Sequence, residues 1–205
     1  VINSAKSGTP WITFKGGIGN VVFITAGIHG SELSSQVAVL KLISYLENNP
    51  IKGTVHIIPF IQPKATASNV RNYNNVNLNS KANVPGTISN NVVELICSLK
   101  CDTYGDFHCT QPNGDPGKDV AMGSYSPLSE SAKIADFISK KTGYSKLIYD
   151  IAGQEYGGAM EDTVNLRGIP SVTCEVLTPH GTIAAGSVDK SFNMMKALLQ
   201  YNNLI

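Results

Sequence analysis

Between residues 20 and 46 the chain changes period, and that change constrains the fold more than any other feature. Val21-Val22-Phe23-Ile24-Thr25 is an apolar, β-branched run of strand length. Glycine-containing "AGIHGSEL", residues 26 to 33, then hands over to a segment with apolar residues at helical spacing. The same alternation recurs along the 205 residues. Strands are expected at Trp11–Phe14, Asn20–Ala26, Thr54–Phe60, Asp102–His108, Lys146–Ile151 and Ser171–Val176. Helices are expected at Glu32–Leu46, Asn90–Leu99, Pro127–Lys141, Glu161–Leu166 and Asp189–Tyr201. Ser126-Pro127 reads as a helix start, a capping serine ahead of a first-turn proline. Strands alternating with helices imply βαβ units, so the expected class is α/β: one domain over 1–205, with a twisted, mostly parallel (mixed) sheet and helices on both faces. Two stretches resist assignment, Gln62–Ile88 and Thr110–Tyr125; loops of such length in a compact domain usually carry function.

Composition excludes some partners. A formal net charge of +1 offers no attraction for nucleic acid or an anionic membrane surface, and no apolar run approaches the roughly 20 residues of a membrane span. Arginine occurs only at Arg71 and Arg167. Val1 begins a stretch without signal-peptide character, which reads as the start of a mature or excised domain. Of four cysteines, Cys97 and Cys101 are spaced for packing on one helix. Cys109 and Cys174 fall on separate strands and can bridge only if geometry allows; a bridge there would point to an oxidising compartment.

In open α/β sheets ligands bind beyond the carboxyl ends of strands, and three polar segments fall there. His29 and Glu32 lie three apart where the first buried strand meets its helix, so both can reach one face. Imidazole plus carboxylate suits a zinc site with a position open to water; the plainer reading is a loop histidine beside an acid that favours the helix dipole. Among the other histidines, His56 in "TVHIIPF" lies mid-strand among apolar residues and reads as a core or surface histidine. His108 in "GDFHCTQ" ends a strand after Asp106, which is placed to accept its second N–H. Glu175 in "SVTCEVLTP" closes a β-branched strand where a carboxylate has no packing purpose, so it is a strand-end acid or a general base. Arg71 in "SNVRNYNNVNLN" is either solvated or set to polarise a carbonyl. A Cys109 nucleophile paired with His108 is disfavoured because neighbours on a strand face opposite ways.

The order G-x-H-G-x-E, R…N-L-N, D-x-H and T-x-E-V, spanning Gly27 to Glu175, resembles the zinc carboxypeptidases of the M14 type and their relatives, the aspartoacylase and succinylglutamate desuccinylase deacylases. "GGAMED" at Gly157–Asp162 looks like the specificity-pocket strip of the carboxypeptidases. The resemblance implies one Zn2+ per chain on His29, Glu32 and His108, with Glu175 as general base and acid. It puts Arg71 at the scissile carbonyl and Asn79 in the grip on a substrate carboxylate. Met160 takes the position of a pocket-floor residue, or is a core methionine. The arginine that should follow Asn79 is Ser80, so a bidentate fork for a terminal carboxylate is missing; either Lys81 substitutes as a point charge or the substrate ends differently. Tyr149 and Tyr156 both miss the spacing of the family's mobile tyrosine. His180 lies at the cleft edge or on a surface loop. The expected activity is a zinc metallopeptidase acting on peptides, cell-wall peptides among them, which would place the protein outside the cell or at its surface. A small-molecule acyl-amide deacylase is the alternative, and a non-catalytic binding module is a third reading.

Overall fold

A computed structural model describes all 205 residues. In chain order the elements are α1 (Ile2–Ala5), β1 (Ile12–Lys15), β2 (Val21–Ala26), α2 (Leu33–Asn48), β3 (Thr54–Ile58), α3 (Pro63–Ala67), α4 (Ile88–Ser98), β4 (Thr103–Thr110), β5 (Val120–Ser126), α5 (Glu130–Thr142), β6 (Ser145–Ile151), α6 (Met160–Leu166), β7 (Ser171–Leu177) and α7 (Ser187–Tyr201). The strands form one seven-stranded mixed sheet in the order β1-β3-β2-β4-β7-β5-β6. β3, β2, β4 and β7 run parallel. β1 and β5 join as antiparallel neighbours of β3 and β7, and β6 runs parallel to β5 at the edge.

Residue parity along the central strands decides what each face carries. Val22, Ile24 and Ala26 of β2 point to one side with Phe107 and Cys109 of β4 and Cys174 and Val176 of β7. There they pack on Ala38 and Leu42 of α2, Ile134 of α5 and Leu198 of α7. Phe23 and Tyr104 point to the other side, against Val92 and Ile96 of α4 and Val164 of α6. β4 is buried along its whole length, which is why its polar Asp106 and His108 need partners inside the protein.

Every expected strand and helix is present within a few residues at its ends. The unassigned stretch Thr110–Tyr125, however, contains β5. That strand reads poorly because Val120 to Ser124 are buried on both faces, so no alternation shows. Gly123 is needed where α5 presses on the sheet: a Cβ there would lie 2.5 Å from the Ser131 carbonyl oxygen. Ser126 also stays in β5, paired with Ile151. α5 therefore begins at Glu130, and the expected Ser126 cap is not formed. The other unassigned stretch, Gln62–Ile88, holds α3 and two short 3-10 turns, Tyr73–Asn75 and Asn79–Lys81.

Cys109 and Cys174 do lie on adjacent strands, but their register partners are Val176 and Phe107, so they are offset. All four cysteines are free, and the bridge that would have marked an oxidising compartment is not formed. Burial pushes the Cys109 thiol up to about 12, consistent with packing rather than nucleophilic chemistry. No helix is long and apolar enough to cross a membrane. Leu42, fully buried where α2 meets the sheet, tests this packing: Leu42→Ala should cost roughly 2–5 kcal/mol in urea unfolding while leaving zinc uptake unchanged.

Candidate metal centre

The centre forms where β2, β4 and β7 end together. β2 leaves the sheet at Ala26, and two glycines shape the turn that follows. Gly27 adopts a positive φ of 71°. Gly30 lies so close to α3 that a Cβ would meet the Ala65 carbonyl carbon at 2.1 Å. The Gln62 side chain ties α3's start to the Ile28 carbonyl at 2.5 Å. The turn therefore holds His29 inward, with Glu32 at the N-cap position of α2.

Glu32 is the hub. Its Oε1 lies 2.7 Å from His29 Nδ1, and its Oε2 lies 3.0 Å from His108 Nδ1. Donor atoms from the three residues fall within 4.8 Å of one another, all buried. Cys109 N–H donates to Glu32 Oε2 at 3.1 Å, and Arg71 Nη1 donates to Oε1 at 2.6 Å. The outer nitrogens are also engaged. His108 Nε2 faces Asp106 Oδ2 at 2.9 Å, and Asp106 accepts at its other oxygen from Thr25 Oγ1 at 2.6 Å. His29 Nε2 faces Asn77 Oδ1 at 3.1 Å. With an oxygen acceptor at each Nε2, both rings direct Nδ1 at the same point. Two imidazoles and a carboxylate so oriented, with acceptors behind the rings, fit a divalent ion such as zinc.

The electrostatics need positive charge. Burial works to raise the Glu32 carboxyl, but His29 and His108 overcome it and hold it well below the usual range. Burial works to lower His108, but Asp106 and Glu32 outweigh it and raise the imidazole well above its ordinary value. Glu175 is the direct register partner of His108 across β4 and β7, so both face the cleft. Burial lifts its carboxyl to about 8 against the pull of His108, with Glu32 and Asp106 adding to the rise. Its Oε2 is buried without a hydrogen-bond partner.

A family model described as "Succinylglutamate desuccinylase/Aspartoacylase catalytic domain" matches residues 18–201. The chain belongs to that family. Solved structures agree in fold. The ectoine utilization protein EutE (DoeB) from Ruegeria pomeroyi, solved with product bound, is 19% identical with a TM-score of 0.75, covering 96% of this chain and 61% of its own. A metallo-carboxypeptidase from Burkholderia cenocepacia is 17% identical at 0.71, covering 93% and 60%. The cell shape determinant Csd4 from Helicobacter pylori, solved with a tripeptide, is 13% identical at 0.74, covering 96% and 56%. This chain thus spans about three-fifths of those proteins. Among curated proteins no sequence match is found.

In this desuccinylase/aspartoacylase domain the other site candidates divide into two groups. Arg71, Asn79 and Ser80 line a cavity of about 360 Å3 together with His108 and Glu175. Tyr149 and Tyr156 line it too, packed edge to face at 5.8 Å, with Tyr156 Oη donating to Asp115 at 2.7 Å. His180 is not on a surface loop: its Nε2 lies 2.7 Å from the Cys109 carbonyl oxygen and 3.8 Å from Glu32 Oε1. Met160 is not a pocket-floor residue. It is fully buried in the core beside Val164 and Tyr104, and only its backbone N–H reaches the site, donating to Asn79 Oδ1 at 3.3 Å. Helical parity turns the neighbouring Glu161 and Asp162 to the cavity instead. Lys81 is exposed and does not line the cavity, so it does not stand in for the missing arginine. His56 lies away from the centre, with its Nδ1 2.9 Å from Thr13 Oγ1.

Asn77 escaped the sequence reading. Its signal was the first asparagine of N-L-N, two residues ahead of Asn79, in a loop that must supply an acceptor behind His29. Zinc should bind at about one ion per chain by elemental analysis and be lost in His29→Ala and His108→Ala. Asn77→Ala should keep the site but weaken zinc by roughly 10–100-fold in a chelator competition.

Proposed function

We propose that this domain is a zinc-dependent hydrolase of amide bonds, most directly a metallopeptidase acting on peptides. The observation that carries this is the unpartnered Glu175 Oε2, facing the cleft in register with His108 beside the His29–Glu32–His108 cluster. A half-buried carboxylate in the cleft with one oxygen unused is available to take a proton.

His29, Glu32 and His108 would hold the zinc ion, which when bound would supply Lewis acidity to a carbonyl and lower the pKa of water toward neutrality. Glu175 accepts the proton of the attacking water, and its raised pKa lets it return that proton to the leaving nitrogen. Arg71, anchored by Glu32 and half exposed, offers a permanent charge to the oxygen on which negative charge develops. Asp106 and Asn77 hold the two imidazoles at fixed orientation from behind.

Two features support a peptide. Ser80 beside Asn79 leaves no guanidinium for a small acidic substrate's terminal carboxylate, and Csd4 shares this fold and was solved with a tripeptide. Peptides of the cell wall, met outside the cell, are the substrates we propose on that basis. A small-molecule acyl-amide deacylase is the second reading, favoured by the family match over residues 18–201. Glu175→Gln should retain stoichiometric zinc and lose about 10²–10⁴-fold in kcat on peptide or acyl-amide substrates. Wild-type turnover in that variant with zinc in place would overturn the role given to Glu175.

A further inference from the structure

The floor of the cavity carries charge that the proposed hydrolysis does not use. Five carboxylates line it (Asp115, Glu155, Glu161, Asp162 and Glu175), against Arg71 as the one lysine or arginine. Only Glu175 belongs to the chemistry. Glu161 and Asp162 open α6, where acids ordinarily favour the helix dipole. That accounts for an exposed acid and not for Glu161, which is 8% exposed and whose Oε1 has no hydrogen-bond partner. Leaving a buried acid's oxygen unbonded is costly unless something else completes it. Burial and the neighbouring Asp162 also hold the Glu161 carboxyl well above the usual range, a crowding of two acids that a cation on the floor would relieve. The walls suit a cation as well: Tyr149 and Tyr156 line the same space, and aromatic faces attract alkylammonium groups.

We infer that Glu161 and Asp162 form the floor of a subsite for a primary ammonium group, so that the substrate carries an amine-bearing side chain, as in a lysine-like diamino acid, next to the bond to be cleaved. The inference rests on reading this cavity as the substrate site. It also gives Ser80 a reason: a pocket lined with five acids selects for positive charge on the substrate arm, and an arginine there would neutralise part of that field. A lysine side chain is compatible with a cavity of about 360 Å3.

The test uses the full chain and three probes whose side chains end in an ammonium, a methyl and a carboxylate: L-lysine, L-norleucine and L-glutamate, titrated calorimetrically. Lysine should bind about tenfold or more tighter than norleucine, with glutamate weaker than both. Glu161→Gln and, separately, Asp162→Asn should each bring the lysine-to-norleucine ratio toward one, with folding checked by circular dichroism. Equal affinity for lysine and norleucine in the wild-type protein overturns the subsite whether or not either variant folds. A preference that survives in both folded variants overturns its location. The zinc-loaded enzyme is then compared on peptides carrying lysine or norleucine. Turnover without lysine preference sinks the subsite and leaves the hydrolase; lysine-selective binding without turnover of any peptide sinks the hydrolase and leaves the subsite.

Discussion

The parallel pairing of β4 with β7 is the constraint on which the rest of the site depends. Register sets His108 opposite Glu175 and Phe107 opposite Cys174. Side chains alternate along a strand, so that one register sends the two polar groups to the cleft and the aromatic and thiol to the core. A slip by one residue would bury the carboxylate among Phe192, Met195 and Leu198 and expose the core. The apolar side therefore fixes the position of the chemistry: the packing of α2, α5 and α7 on Phe107, Cys109, Cys174 and Val176 keeps Glu175 within reach of the cluster.

Around that register the protein gathers buried charge that packing alone would not tolerate. Glu32, Asp106 and His108 are nearly inaccessible, and each is satisfied by the others or by Arg71, Thr25 and the Cys109 amide. Such a network is stable only when every member has a partner. Glu175 and Glu161 are the two acids in it or beside it that keep an oxygen unbonded. Both face the same cavity, one at the strand end and one on its floor. The two unsatisfied groups thus fall together on the cavity that the proposed hydrolysis assigns to the substrate.

The legible part of the site was its strand ends. His29, Glu32, His108, Arg71 and Glu175 could be singled out because each breaks an apolar pattern at a point where an α/β sheet exposes its ligand-binding edge. Met160 was misplaced for a physical reason: neighbouring residues in one helical turn point about 100° apart, so the pocket face passed from Met160 to Glu161 and Asp162. Asn77 was hidden in an asparagine-rich loop whose path cannot be read from periodicity. His180, five residues beyond Glu175, could be read at the cleft edge or on a surface loop, and only the fold brings it to within 3.8 Å of Glu32.

The sequence by itself determined every strand but β5 and every helix but the short α1 and α3, because period and turn residues are local properties. It also determined that a histidine and a glutamate stand just beyond the end of β2. Tertiary structure alone decided where β5 is inserted, that Cys109 and Cys174 stay apart, which ring nitrogens face Glu32, and which acids reach the cavity floor. Those outcomes depend on register and on which face meets which helix, and both are set by contacts between residues far apart in the chain.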